Sequence, residues 1–146
     1  MDERIKIFDE SGEYTGYVRL DTNEIGQVIG EVYDPEANKI GAIQYAPLES
    51  EPQESLVHNA DGEQIGYVRL ERYADDRLGG DFYWMGVPGT TDEIVAHVHM
   101  DPNSGERPEL RRKAQWGEKL GWLEAQDISP EEQVLVGGGA ACLLLL

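Results

Sequence analysis

Gly16, Gly41 and Gly66 are spaced by 25 residues twice over, each inside the same local phrase, and this internal repeat constrains the fold more than any other feature. In the first copy Ile7-Phe8-Asp9 leads through Gly12 to Thr15-Gly16-Tyr17-Val18-Arg19-Leu20. In the third, Val57-His58-Asn59 leads through Gly62 to Ile65-Gly66-Tyr67-Val68-Arg69-Leu70. The second runs from Val32-Tyr33-Asp34 through Asn38 to Ile40-Gly41-Ala42-Ile43, and in all three an Asp or Asn lies seven positions before the glycine. Gly117-Glu118-Lys119-Leu120-Gly121-Trp122-Leu123 overlays the stretch from Gly62 to Val68 and adds a copy around Gly121. The stretch from Glu93 to Val98 keeps the rhythm with Val95 in place of the glycine.

A period near 25 holds two short strands and two turns, because strands average about five or six residues and hairpin loops about two to five. Each unit is therefore predicted to be one β-hairpin, with Asx, Pro and Gly at the reversals Asp9–Gly12, Asp34–Asn38 and Asn59–Gly62. Five units follow, at about 3–25, 26–50, 51–78, 79–104 and 105–128, with a C-terminal apolar segment at 129–146, all in a single domain 1–146. The acidic, Pro-containing stretch from Pro47 to Ser55 reads as a connector. The repeat glycines 16, 41, 66 and 121 sit within strands, where glycine is ordinarily disfavoured, so they predict a close approach to the backbone or a sharp bend.

The segment from Val134 to Leu146 is too apolar to be left in water and is predicted to lie along the axis, small residues in the narrow part and leucines in the wide one. Helical character is confined to Pro108–Trp116, where it competes with the repeat, and to a start signal at Ser129-Pro130-Glu131-Glu132. The expected fold is all-β, hairpins arranged radially around an axis plugged by the C-terminal segment, with an up-and-down β-barrel as the alternative.

With the repeat in view, the chain resembles the bacterial β-flower proteins, in which hairpin petals bearing an Asp-x-x-Gly-x-x-Ile-Gly-x-Val motif surround an axis, in four-fold or five-fold arrangements. The Gly- and Leu-rich end is similar as well. The resemblance spans most of residues 3–146 and implies a fold without an established activity. The departures are Val95 for glycine, the looser unit from Gly79 and the lengthening turns.

Charge and cysteine content narrow the partners. Asp and Glu outnumber Lys and Arg by 29 to 12, a formal charge of −17, which opposes binding to nucleic acid or to anionic membrane surfaces. The single cysteine, Cys142, precludes an internal disulfide framework, and the charged N-terminus has no apolar stretch of a secretory leader. The terminal apolar run is far shorter than the ~20 residues that span a bilayer. A reduced, cytoplasmic setting is the expectation, with no cofactor and with an unidentified protein as the partner.

Three residue sets carry candidate chemistry. His97, His99 and Asp101 alternate along a strand and so share a face, which suits a metal ion, although three or four ligands are customary and a solvated strand face explains them more simply. Asp101–Glu106 resembles the start of a calcium loop, with its glycine one position early, and reads equally as an Asx-Pro turn. Tyr67, Trp84 and Trp122 could stack a glycan or other small polar ligand; Tyr17, Tyr67 and Trp122 follow the repeat glycine, where packing against the next unit is the plainer reading. Arg19 and Arg69 stand where they can meet acids across strands. Cys142 is embedded in apolar residues, and no nucleophile elbow, P-loop or dinucleotide fingerprint occurs. The expected function is a non-enzymatic structural or interaction module; a glycan-binding module and a metal-dependent enzyme are the alternatives.

Overall fold

The computed structural model describes residues 3–22, 24, 28–45, 53–72, 78–85, 93–100, 108–112, 118–125 and 128–145. Ten antiparallel strands follow one another around a closed barrel: β1 (Glu3–Asp9), β2 (Tyr14–Thr22), β3 (Val28–Tyr33), β4 (Lys39–Tyr45), β5 (Glu54–Asn59), β6 (Gln64–Arg72), β7 (Leu78–Trp84), β8 (Glu93–Met100), β9 (Glu109–Arg112) and β10 (Lys119–Ala125). Pairing of β1 with β10, Ile7 opposite Leu123, closes the ring. The hairpin repeat and the barrel are thus one architecture, five hairpins around an axis.

The register shows why the repeat has its spacing. Inside the barrel, Ile7, Val32, Val57, Phe82 and Leu110 pair with Gly16, Gly41, Gly66, Ala96 and Gly121 respectively, one pair per hairpin. Each hairpin carries a β-bulge beside this pair, which bends the strands and steepens their twist. In hairpin 4 the residue that takes the glycine's place is Ala96, not Val95. The longer turn before β8 displaces the frame, and Val95 falls at the bulge between Ile94 and Ala96, partly buried against the core as Ile40, Ile65 and Leu120 are in their units.

The turns of hairpins 1, 2 and 3 share one device. Oδ1 of Asp9 accepts hydrogen bonds from the amides of Ser11 and Glu13, that of Asp34 from Glu36 and Asn38, and that of Asn59 from Asp61 and Glu63. These bonds hold the Asp9 carboxyl, chiefly through the Ser11 side chain, and the Asp34 carboxyl, chiefly through the Asn38 amide, below the usual carboxylate range. Each turn also needs a left-handed residue, supplied by Gly12 (φ 90°), Ala37 (φ 68°) and Gly62 (φ 83°). At Ala37 the Cβ makes that conformation cost about 1–2 kcal/mol.

The axis is filled by a helical segment: α1 (Pro130–Glu132), a π-helical turn Gln133–Gly137 and α2 (Gly138–Leu145). Ser129 caps it, its hydroxyl accepting from the Glu132 amide at 3.3 Å, and Pro130 occupies the first turn, where no amide donor is required. Val134, Leu135, Val136, Ala140 and Ala141 are fully buried, the condition that makes an apolar surface all round tolerable. The three central glycines lie where the wall is nearest: a Cβ would fall 2.7 Å from Leu123 at Gly137, 2.6 Å from Val98 at Gly138 and 2.8 Å from Ile43 at Gly139. Beyond the waist Leu143, Leu144 and Leu145 spread against Gly41, Gly16 and Gly121 of the wall. At the other end Val136 and Val134 meet Gly30 and Gly80. Ser55, in the layer of those two glycines, instead donates its hydroxyl to the Leu135 carbonyl at 2.7 Å and fixes the plug along the axis.

Two local expectations are corrected. Residues Glu109–Arg112 are strand, because alternation with buried Leu110 places them in the ring and tertiary pairing outweighs their helix propensity. The connector read from Pro47 to Ser55 ends earlier, since Glu54 and Ser55 already pair in β5. Among the described residues no helix is long and apolar enough to cross a membrane.

Candidate binding groove on the outer wall

The inner face of the barrel is occupied by its own side chains and the plug, so the accessible chemistry of the described residues is on the outer wall. There the aromatic residue that follows Gly16, Gly66 or Gly121 packs on the first strand of the next hairpin. Tyr17 stacks on Tyr33 at 5.3 Å between ring centroids, Tyr67 on Tyr83 at 4.9 Å, and Trp122 on Phe8 at 5.7 Å across the closure of the ring. A cation lies over each pair: Arg19 over Tyr17 and Tyr33, Arg69 over Tyr67 and Tyr83, Lys119 over Trp122.

Between hairpins 1 and 2 the wall opens into a groove of about 490 Å³ lined by Lys6, Phe8, Tyr14, Tyr17, Pro35 and Ala37. Strand alternation puts Lys6, Phe8 and Tyr17 on the same outer face, with Lys6 directly opposite Tyr17. Phe8 and Tyr14 meet at 5.8 Å with their rings tilted by 52°. The turn of hairpin 2 contributes Pro35 and Ala37 as the far side. The groove thus offers aromatic surface beside one exposed ammonium group. A second depression, about 280 Å³, is lined by Lys39, Ala42, Gln44, His58 and neighbours; unit 2 has Ala42 where its counterparts carry an aromatic ring.

The residues singled out in the sequence are dispersed. Tyr67 and Trp122 are half-buried in the inter-hairpin stacks. Trp84, at the end of β7, is 45% exposed beside Met85 and Ile94, one register step from Tyr67 and three strands from Trp122. The groove's own aromatics, Phe8 and Tyr14, were not singled out, because neither follows a repeat glycine. Their signal is the aromatic at the position after Ile7 in unit 1, which closure of β1 on β10 brings against Trp122.

His97 and His99 do share the outer face, with ring centroids 6.4 Å apart. His97 is not on a solvated face: it is 3% exposed, and its Nδ1 lies 2.7 Å from Oδ1 of Asp81 on the neighbouring strand. The hydrogen bond from His97 holds the Asp81 carboxyl below the usual range. His97 Nε2 is buried without a hydrogen-bond partner among the described residues. Asp101 and the calcium-loop-like stretch to Glu106 lie outside the described residues, as does Trp116. Among the described residues no three His, Cys, Asp or Glu side chains are grouped to hold a metal ion.

The thiol of Cys142 is fully enclosed in the plug, and burial alone raises its ionisation far above that of a free cysteine. Since the thiolate is the reactive form, native protein is expected to resist a maleimide for as long as it stays folded, and to label stoichiometrically in denaturant. Rapid labelling of the native protein would mean that the plug leaves the barrel readily.

Fold and site together define an acidic, closed ten-stranded hairpin-repeat barrel with a helical plug and an aromatic-walled outer groove. Comparison with protein families, with curated proteins and with solved structures yields no match.

Proposed function

We propose that this chain is a non-enzymatic binding module that takes a small polar ligand with a flat apolar face, a sugar ring being the simplest, in the groove between hairpins 1 and 2. The carrying observation is the groove itself: about 490 Å³, with Phe8, Tyr14 and Tyr17 as walls. That volume is within the roughly 300–1,000 Å³ of small-molecule sites. A rigid wall supports such a role, since the rings are pre-positioned by stacking on Trp122 and Tyr33 and little conformational freedom remains to be lost on binding. The solid interior and the enclosed, protonated Cys142 thiol favour binding over covalent chemistry. We also place the chain with the β-flower hairpin-repeat proteins, on the strength of five hairpins whose glycines crowd an axial apolar segment.

Titration with a panel of neutral and acidic oligosaccharides, followed by tryptophan fluorescence, tests the reading because Trp122 stacks on the groove residue Phe8. A saturable change is expected with at least one member. Phe8→Ala and Tyr14→Ala should each weaken it about tenfold, the loss of one aromatic contact of about 1.4 kcal/mol. A flat response across the whole panel would remove the proposal.

A further inference from the structure

We infer that the depression between hairpins 2 and 3 is a second binding site, which takes a small molecule with an indole-type fused aromatic ring. It shares no lining residue with the groove between hairpins 1 and 2 and stands independently of that reading. The warrant is a comparison that the repeat provides within one molecule. At each boundary between hairpins, one outer-face residue stands directly opposite a residue of the next hairpin. Tyr17 faces Tyr33, Tyr67 faces Tyr83 and Trp122 faces Phe8, each a stacked pair. His97, which follows Ala96, faces Arg111. At the boundary of hairpins 2 and 3, Ala42 faces His58, and there the wall sinks into the depression of about 280 Å³. A methyl group thus occupies the place where the other four hairpins carry a ring.

Hairpin 5 shows what that place is built to hold. Lys119-Leu120-Gly121-Trp122 aligns with Lys39-Ile40-Gly41-Ala42. In hairpin 5, Glu109 is opposite Trp122, accepts from Arg111 Nη2 at 2.9 Å and pairs with Lys119 at 3.1 Å, while Lys119 Nζ lies 5.3 Å from the indole centroid. In hairpin 2, Glu31 is opposite Ala42, accepts from the Tyr33 hydroxyl at 2.7 Å and pairs with Lys39 at 3.6 Å, while Lys39 lines the depression. Glutamate, its donor, lysine and a flat side chain on the next strand are all repeated; only the indole of Trp122 has no counterpart. The lysine also favours indole over phenol. Hairpins 1 and 3 carry tyrosine at the ring position, with Tyr14 and Gln64 where the lysine stands, and their cation comes from Arg19 or Arg69 instead. A ring seated on Ala42 lies against His58 and under Lys39, and gains both aromatic and cation–π contacts. The volume is at the lower edge of the roughly 300–1,000 Å³ of small-molecule sites, which suits one fused ring rather than a larger ligand.

The probe is indole, titrated into the full chain with its alanine methyl groups labelled with ¹³C; cyclohexylmethanol, apolar but not aromatic, is the control. The ring current of a seated indole is expected to move the Ala42 methyl resonance upfield and saturably, and the control should bind about fivefold more weakly. Lys39→Met should weaken indole about threefold. Phe8→Ala, in the other groove, should leave indole binding in place. Ala42→Trp, which gives hairpin 2 the residue of hairpin 5, should abolish it, as followed at the His58 ring protons. An Ala42 methyl resonance that does not move, equal binding of the control, or retention of indole by Ala42→Trp would overturn the inference. The first two outcomes are read on the unsubstituted chain and hold whether or not Ala42→Trp folds.

Discussion

A chain ended after Ile128 is expected to lose cooperative unfolding altogether, although all ten strands remain. The waist of the barrel is packed on the plug. Ile5, Ile43, Val57, Val98 and Leu123 point at the axis and lie against Gly137, Gly138 and Gly139. Removing the plug exposes those side chains and forfeits the burial of Val134, Leu135 and Val136, which at about 1.5–3 kcal/mol each amounts to about 5–9 kcal/mol. That is comparable to the whole stability of a domain, about 5–15 kcal/mol. Thermal unfolding followed by circular dichroism should show a sloping signal without a midpoint, or precipitation. A sharp transition within a few degrees of the full chain would mean that the wall collapses onto itself and the plug is dispensable.

The second large effect is expected at Gly41. Its backbone conformation is open to any residue, so the demand for glycine there is spatial: a Cβ would run into the His58 carbonyl of the next strand and lie 2.8 Å from Leu143 of the plug. The carbonyl is held by strand pairing and cannot retreat without loosening the contact of β4 with β5. Gly41→Val should therefore cost 3 kcal/mol or more, beyond the roughly 1–3 kcal/mol of ordinary overpacking. Gly62→Ala provides the opposite case. Its surroundings are empty within 4 Å, but φ is +83°, so about 1–2 kcal/mol is expected from conformation alone. Denaturant midpoints of the two variants check the order; a larger loss at Gly62 would refute the spatial account.

These glycines also show how far the fold could be read from sequence. A repeated glycine in a β-rich phrase implied close approach, and the structure supplies two neighbours at each of three sites: a carbonyl of the adjoining strand and a leucine of the plug at Gly16, Gly41 and Gly121. At Gly66 the second neighbour is the Phe82 ring, a difference the repeat phrase does not encode because it depends on which side of the helix faces that hairpin. The buried tail was legible from apolarity. Its helical form was not, since a segment apolar all round has no periodicity to display. Ala96 was missed because a longer turn displaced the frame, and the strand at Glu109–Arg112 was obscured by residues that favour helix. The burial of His97 could not be foreseen from β8 alone, because its partner Asp81 comes from β7.

The candidate groove was less legible than the fold. The stacking of residues that follow the repeat glycine could be anticipated, and Tyr17, Tyr67 and Trp122 do pack on the next hairpin. Phe8 acquires its place only when the first and last strands meet, a relation between residues more than a hundred positions apart.

The plug follows all ten strands in chain order, and this has a consequence for biosynthesis. A ribosome delivers the staves of this barrel before the post they close upon. Each hairpin can form its local turn as it emerges, but the axis they must surround is translated after all ten strands. Until then the nascent chain exposes apolar wall and unpaired strand edges, the condition in which chaperones are most needed. Closure of the ring about its post accordingly comes after the synthesis of every strand, when the helix threads the ring and β10 reaches back to β1.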